Sequence, residues 1–580
     1  MQKTNNQVSE ATKRNWEKLG VNTTEGKLVS RANKRLSTKR ITPVEYFDSK
    51  PNIKKIEDIT QKLADKYDDT GKVLFSVGVK LFELNGIVND SNVASNPLIS
   101  EFLSDCGYDV IEDLSVHDYP QDESDLLGLI YQCLLQEGVK NAQGSYYTPK
   151  SVVRDMVDDI KLTSANKVLD PCCGSLVYLL NIPNIKPENI FATDIDPIAV
   201  MIAKFNYFLR FPKAKVVNIY NDDFLSSNRK ALDLKFDYIV TNPPWGASAT
   251  NTKNYPEIIS GETFSCFLVE AHRRLKKSGQ LRFLLPESIL NVKTHRDIRH
   301  YLLTKADLVA IKMYADLFSG VTTKYVALTA NYSGNSSEVE IDVANRSWGV
   351  EKAVYTNNPN FIFRLSDSTD ESIIEKVLEK KRYDLSESIW ALGIVTGSNK
   401  EKLHLEPKED LEKIYTGKEI SPYTLKPSKY YIKYDRSQLQ QVAKDEIYRA
   451  KPKLVYKFIS KKLVFAVDES ASLFLNSANI LVPNVPNMSV KSVSAFLNSE
   501  LYQYLYMKLF REIKILKGNL LQLPFPEIDS KTDKVISNMV DDVILGKTDD
   551  KKLQDFIYNY YKISAIEIKC IKKEVYGTTD

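Results

Sequence analysis

Apolar residues recur at helical spacing in the first quarter of the chain. KVLFSVGVKLFEL (72–84) and DESDLLGLIYQCLLQEG (122–138) both predict helices, the second with Leu127, Ile130, Tyr131, Leu134 and Leu135 along one face. After Gly144 the period changes. NKVLD (166–170), NIFATDID (189–196) and FDYIVTNPP (236–244) are short apolar runs that predict strands. SVVRDMVDDI (151–160), PIAVMIAKFNYFL (197–209, opened by Pro197) and TFSCFLVEAHRRLKK (263–277) predict helices among them. QLRFLLP (280–286), DLVAIKMY (307–314) and TKYVALTANY (323–332) predict further strands. This alternation predicts an α/β domain with a largely parallel sheet. From about residue 346 it fades, and residues 385–580 become rich in Lys, Tyr and Leu, with short strands and late helices. Three regions are expected: a basic arm and helical region over 1–118, the α/β domain over 119–345, and an α+β domain over 346–580.

Composition adds bounds rather than identity. A chain of 580 residues, 43% of them hydrophobic, can bury several cores. The net charge is only +4, so global charge does not argue for a nucleic-acid partner. Residues 1–50 carry eleven Lys/Arg against five Asp/Glu, as a solvated arm or a DNA-contacting one would. The six cysteines are scattered, which fits a reducing compartment. The five histidines make no metal spacing with them, so no metal is expected. No apolar run approaches the roughly 18 residues that span a bilayer. The opening MQKTNNQVSE has no apolar stretch, so no signal peptide is expected. A cytoplasmic protein without a membrane partner follows.

Three motifs carry chemistry. In VLDPCCGS (168–175) a strand ends at Asp170, and a turn of small residues with Gly174 follows. At the carboxyl end of such a strand the chain passes close to a ligand. Asp194 closes the next strand, where an acid meets ribose hydroxyls in nucleotide-binding α/β folds. A tight turn with a capping acid would read similarly. GxGxxG is absent, which favours a nucleoside cofactor other than a dinucleotide. The second motif is Asn242-Pro243-Pro244-Trp245, after the strand FDYIV. An exocyclic amine is a poor nucleophile because its lone pair is delocalised into the ring. Two acceptors on its two N–H bonds would draw it toward tetrahedral geometry. An Asn side-chain oxygen and a carbonyl fixed by proline supply them, and an aromatic beyond can stack on the base. The third motif, GSYYTP (144–149), precedes a helix and the first strand.

GSYYTP, DPCCGS, DIDP (194–197), NDDF (221–224) and NPPW occur in this order. The series resembles that of the adenine-N6 DNA methyltransferases of restriction–modification systems, in the order that places the cofactor motif first, the catalytic motif next and target recognition last. LGLIYQCLL ahead of GSYYTP also resembles the modification subunits of type I systems. The resemblance covers about residues 120–335. It implies a Rossmann-like domain that uses S-adenosylmethionine to methylate N6 of an adenine flipped out of duplex DNA. It implies that Tyr147 and Thr148 line the methionine end of the cofactor and that Asp170 and Gly174 lie beneath it. Asp194 would take the ribose hydroxyls, while Asp223 and Phe224 would bound the adenine. Asn242, Pro243, Pro244 and Trp245 would hold the target base, and Phe318 in LFSGVTT would pack on it. The family's first loop reads Gly-Ser-Gly, whereas here Leu176 replaces the last Gly, which bears on cofactor affinity.

KPKLVYKFISKKLVF (451–465) has five lysines, no acid, and interleaved Tyr456, Phe458 and Phe465. Lys457 and Lys461 are candidate phosphate contacts, in a region that an exposed basic strand pair would also explain. AFLNSELYQYLYMKLFREIKILKGNLLQLPFPEI (495–528) resembles the end of target-recognition domains in these enzymes. A stand-alone enzyme, monomeric or dimeric, is the expected reading, with a cognate restriction endonuclease in the same system and no direct contact implied. The alternatives are a modification subunit that needs a separate specificity subunit and a fused restriction–modification enzyme. Glutamine methylation in a protein leaves some 230 C-terminal residues unexplained. Cytosine-N4 methylation usually has Ser where Asn242 stands. A DNA-binding protein with an inactive methyltransferase domain would not need intact Asn242 and Asp194.

Overall fold

A computed structural model describes residues 40–89, 95–136, 138–140, 148–226, 234–245, 252–314, 324–344, 346–460, 462–510 and 515–577. Tyr147, Phe318 and Lys461 lie outside the described residues. The chain divides at Leu365/Ser366 into two compact units.

The first unit is built on a nine-stranded sheet. Its strands are β1 (Val168–Asp170), β2 (Ile190–Asp194), β3 (Ile219–Asn221), β4 (Phe236–Thr241), β5 (Leu275–Pro286), β6 (Asp307–Tyr314), β7 (Tyr325–Asn331), β8 (Glu338–Val343) and β9 (Arg346–Glu351). The spatial order is β3-β2-β1-β4-β5-β7-β6-β8-β9. The first five strands are parallel, as the alternating pattern predicts, and β7 inserts antiparallel between β5 and β6. The order reverses between β1 and β4, the topological switch where ligands of open α/β sheets bind. The boundary expected at 345/346 falls inside a hairpin, because Val343 pairs with Arg346. The sheet carries the chain beyond it, and this unit ends at Leu365.

Helices α1 (Asn52–Lys66), α2 (Thr70–Leu84), α3 (Pro97–Cys106) and α4 (Leu126–Leu134) precede β1, followed by α5 (Lys150–Val157). Helices α1, α2 and α3 lie in the region expected to precede the α/β domain. These helices share one core with the parallel strands. The joint is Phe205, on helix α7 (Pro197–Arg210) between β2 and β3. Its ring lies 6.0 Å from Phe75, 4.9 Å from Phe82 and 4.9 Å from Phe102. The hydrophobic faces of α2 and α3 thus find their partner on the α/β layer instead of forming a core of their own.

After β1 the chain turns through Gly174, at φ +49°, and Leu176, at φ +74°, into α6 (Val177–Leu180), a single turn. Gly174 takes that conformation freely. Leu176 does not, yet its side chain is completely buried.

The second unit carries β10 (Lys381–Tyr383), β11 (Ile389–Leu392), β12 (Leu403–His404), β13 (Glu412–Tyr415), β14 (Tyr430–Ile432), β15 (Lys453–Lys457), β16 (Phe465–Asp468), β17 (Leu473–Phe474), β18 (Ala478–Val482) and β19 (Phe525–Pro526). They form sheets β11-β18-β15-β16 and β12-β14-β13-β17, with β10 paired to β19. Helices over 490–510 and 530–576 share a core with the first of these sheets, giving the α+β unit that was expected. Lys453 and Asp468 form an ion pair of 2.6 Å with both side chains fully buried. Lys453 Nζ also donates to the carbonyls of Tyr448 and Ala450, and Asp468 accepts from Ser470 and Ser472. A buried pair persists where its remaining valences are met in this way.

Two substitutions test this packing. A Cβ at Gly78 of α2 would lie 2.6 Å from Phe205 ring carbons. Gly78→Ala gains about 1 kcal/mol of helix propensity, but overpacking a ring that three others confine costs about 1–3 kcal/mol. Net destabilisation is expected in denaturant unfolding, and a more stable variant would show that Phe205 has room to move. Leu176→Gly relieves a left-handed strain of roughly 1–2 kcal/mol but removes a buried leucine whose loss costs about 2–5 kcal/mol. The variant is expected to unfold more easily despite matching the family's usual residue.

Candidate cofactor and base site

The carboxyl ends of β1, β2, β3 and β4 bring most of the motif residues to one edge of the sheet. Asp170 ends β1 and is fully buried. Its Oδ1 accepts from Thr241 Oγ1 at 2.7 Å and from the Cys172 N–H at 3.1 Å. Its Oδ2 is buried with no hydrogen-bond partner among the described residues. Asp194 ends β2. Its Oδ2 accepts from the Gly174 N–H at 2.9 Å and its Oδ1 from the Asp196 N–H at 3.0 Å. Beyond it Ile195 stands 72% exposed. The Asp222 N–H donates to the Asp194 carbonyl and joins the loop after β3 to this cluster. Asp223 is half-buried and caps its own turn, accepting from the Leu225 N–H at 2.9 Å. Phe224 is buried, and its ring stacks on Phe267 at 5.5 Å within the core.

Burial raises both carboxyls. It pushes Asp170 up to about 7, with the charge of Asp194 adding to the effect, and Asp194 up to about 6, against the backbone N–H bonds that favour its ionised form. Two desolvated carboxyls on one edge suit a ligand that brings hydroxyl donors and positive charge. S-adenosylmethionine, with ribose hydroxyls, an ammonium and a sulfonium, has that chemistry.

The catalytic motif lies at the end of the neighbouring strand. β4 ends at Thr241, which is already bonded to Asp170, and Asn242 follows. Asn242 Nδ2 donates to Thr148 Oγ1 at 3.2 Å, so GSYYTP and NPPW meet across 94 residues. Tyr178 OH donates to the same Thr148 oxygen at 3.1 Å. With its amide hydrogens turned toward Thr148, Asn242 presents its oxygen as the acceptor. Pro243 is buried and Pro244 half-buried. Trp245 is half-buried, its ring 4.9 Å from Tyr325 of β7 at an angle of 37°.

The structure therefore brings together Thr148, Asp170, Gly174, Asp194 and Asn242. Thr241, Tyr178 and Tyr325, which support them, escape a sequence reading. Thr241 is the residue before the Asn-Pro-Pro turn and could have been marked by its place at the end of the apolar strand FDYIV. Tyr178 and Tyr325 carry no local signal, since only tertiary packing gives them a partner.

The basic stretch 451–465 differs from an exposed strand pair. Lys453 is buried against Asp468, and Tyr456 and Phe465 are core residues whose rings lie 5.0 Å apart. Lys457 is half-buried at the end of β15. Lys462 is exposed over the Tyr576 ring at 4.2 Å.

Comparison with known proteins agrees with this geometry. Residues 122–362 match the model of the N-6 DNA methylase family, and residues 412–525 that of the TaqI-like C-terminal specificity domain. The chain is 30% identical over 337 residues to type II methyltransferase M.VspI of Vibrio sp. (strain 343), covering 55% of this chain and 79% of that one. It is 28% identical over 245 residues to the type I restriction enzyme EcoEI methylase subunit of Escherichia coli, covering 38% of this chain and 49% of that one. Among solved structures, the type IIL restriction-modification enzyme MmeI in complex with DNA shares the fold over 97% of this chain and 94% of that one, with a TM-score of 0.54 at 12% identity. Covering most of the Vibrio enzyme with its motifs gathered at one sheet edge, the chain belongs to the N-6 DNA methylase family.

Proposed function

We propose that this DNA methyltransferase modifies N6 of an adenine flipped from duplex DNA, within a restriction–modification system, and that its own C-terminal unit reads the target sequence. The observation that carries the reading is the Asn242–Thr148 hydrogen bond at the carboxyl end of β4, beside the Asp170–Thr241 pair. The match of residues 412–525 to a specificity domain supports action without a separate specificity subunit.

Bound S-adenosylmethionine supplies an activated methyl group. Asp194 accepts the ribose hydroxyls, and Asp170 and Gly174 line the floor, with Asp223 and Phe224 at the adenine end and Tyr147 and Thr148 at the methionine end. Asn242 Oδ1 and the Pro243 carbonyl accept the two N–H bonds of the target amine and draw its lone pair out of the ring. Trp245, braced by Tyr325, stacks on the base, with Phe318 on its other side. Lys457 and Lys461 contact phosphates. The chain's part is positioning and polarisation. Flipping is required because a paired N6 lies in the stack, away from the methyl donor.

Asn242→Ala is expected to lower kcat by about 100-fold or more, by analogy with the loss of an oxyanion-hole donor, while cofactor affinity stays within twofold. Thr148→Val frees the amide to turn and should lower kcat less, by about tenfold. Turnover of Asn242→Ala within a few-fold of wild type would refute the assignment. The single purified chain should transfer labelled methyl groups to N6 of adenine in plasmid DNA. Absence of incorporation without a partner would defeat the stand-alone reading, and label on cytosine would defeat the base assignment.

The raised carboxyls predict opposite pH trends for stability and binding. The folded, cofactor-free protein favours the neutral forms of Asp170 and Asp194. Their contribution to stability is therefore present below about pH 4 and is lost as pH rises toward about 7. Ribose hydroxyls need an ionised acceptor, so cofactor affinity should instead fall as pH drops through about 6. Calorimetric titration in buffers of different ionisation enthalpy should show proton release on binding that grows as pH falls to about 6 and below. Affinity that is flat from pH 5.5 to 8 would exclude Asp194 as the acceptor.

A further inference from the structure

One helix outside the motif residues reaches both loops of the cofactor site. Asp125 caps the start of α4, its Oδ1 accepting from the Gly128 N–H at 3.1 Å. The same carboxylate reaches into the loop after β1. Its Oδ2 accepts from Ser175 Oγ at 2.5 Å and its Oδ1 from Asn206 Nδ2 at 2.8 Å. Asn206, on α7, also donates to the Ser175 carbonyl at 3.0 Å. Asp125, Ser175 and Asn206 are all buried. Ser175 lies between the two positive-φ residues of that loop, Gly174 and Leu176. Six residues further along α4, a rise of about 9 Å, Tyr131 OH donates to Asp196 Oδ2 at 2.5 Å in the loop after β2. Asp196 caps α7 with its other oxygen, accepting from the Ile198 N–H at 2.9 Å. Its own N–H is one of the two donors to Asp194, and Gly174 supplies the other. Both donors that fix the Asp194 carboxylate thus belong to loops held by the same helix.

We propose that α4 is a bracket that sets cofactor affinity: Asp125 and Tyr131 are positioning residues that hold the loops after β1 and β2 at the spacing Asp194 requires. Neither touches the bound cofactor. They act through Ser175 and Asp196 on the donors to Asp194. The bracket is anchored because Leu126, Leu127, Ile130 and Leu134 of α4 lie in the core shared with α1, α2 and α3. The helical region before the sheet therefore acts in cofactor binding. Its docking and cofactor occupancy favour each other, because both order the same two loops. The inference rests on Asp194 as the ribose acceptor.

The test uses the full chain and needs no turnover for its main readout. Tyr131→Phe and Ser175→Ala each remove one hydroxyl and keep the packing. Calorimetric Kd for S-adenosylmethionine should rise about fivefold or more in each, and the two effects should multiply in the double variant, since they act on different loops. Rate measurements should show a raised KM for the cofactor, with kcat at saturating cofactor within twofold of wild type. Asp125→Asn should nearly restore affinity relative to Asp125→Ala, because the Ser175 hydroxyl can turn to accept from the new amide. A lower unfolding midpoint with Kd within twofold of wild type in both hydroxyl deletions would reduce α4 to a structural support and overturn the proposal. Asp194→Ala separates the two levels. If it leaves Kd unchanged, the reading of the site fails and the bracket with it. If it weakens binding while Tyr131→Phe and Ser175→Ala do not, the bracket alone fails.

Discussion

The two oxygens of the Asp194 carboxylate are committed to backbone N–H groups from two different loops. A buried carboxylate deprived of such donors is costly, and here the requirement organises its surroundings. The loop after β1 must turn its Gly174 N–H inward, which needs a positive φ at Gly174. The loop after β2 must fold back so that Asp196 both donates to Asp194 and caps α7. The parallel register that sets Asp170 beside Ala192 brings the two loops side by side. These bonds leave the carboxyl still raised by burial, so the demand is only partly met within the protein.

On the proposed reading Asn242 poses a different problem, because an amide has a donor end and an acceptor end and only the acceptor is useful against an amine. Thr148 settles the choice. Its oxygen accepts from both Tyr178 and Asn242, which fills its lone pairs. It cannot then serve as an acceptor for a base and compete with the Asn242 oxygen. The Pro-Pro turn supports the same end from the backbone, since Pro243 and Pro244 have no N–H to offer. On the proposed reading, Thr148 of the GSYYTP motif is the hydroxyl that orients the Asn242 amide.

Much of this was legible in the sequence, for identifiable reasons. Asp170 and Asp194 end apolar strands and Asn242 directly follows one, and a strand terminus in an α/β pattern marks the ligand edge without any tertiary knowledge. The helix 126–134 was readable from its period, but its function was not. Asp125 looks like an ordinary cap and Tyr131 like an ordinary core aromatic, and the polar half of each role lies some 50 to 70 residues away, in Ser175 and Asp196. The packing of the early helices was illegible for a related reason. Residues before 119 look self-sufficient as amphipathic helices, yet their apolar faces are completed by Phe205. The hairpin of β8 and β9 has too little apolar character to announce that it extends the sheet.

Lysine count proved a poor guide to basic surface in the C-terminal unit. Of the five lysines in 451–465, Lys453 is spent internally on Asp468 and two backbone carbonyls, and two of the interleaved aromatics are core. The burial of strands β15 and β16 explains this: a strand buried on both faces turns even a lysine inward when an aspartate on its neighbour can neutralise it, and Lys453 sits opposite Asp468 in the ladder. Among the described residues, the cationic character that remains lies at Lys451, Lys457 and Lys462. On the proposed reading, contacts from there go to phosphates, which fix a protein's register on DNA without reporting sequence. On the same reading, discrimination between bases falls to other parts of the 412–525 segment that matches a specificity domain. The burial of Lys453 and Tyr456 removes both residues from either task.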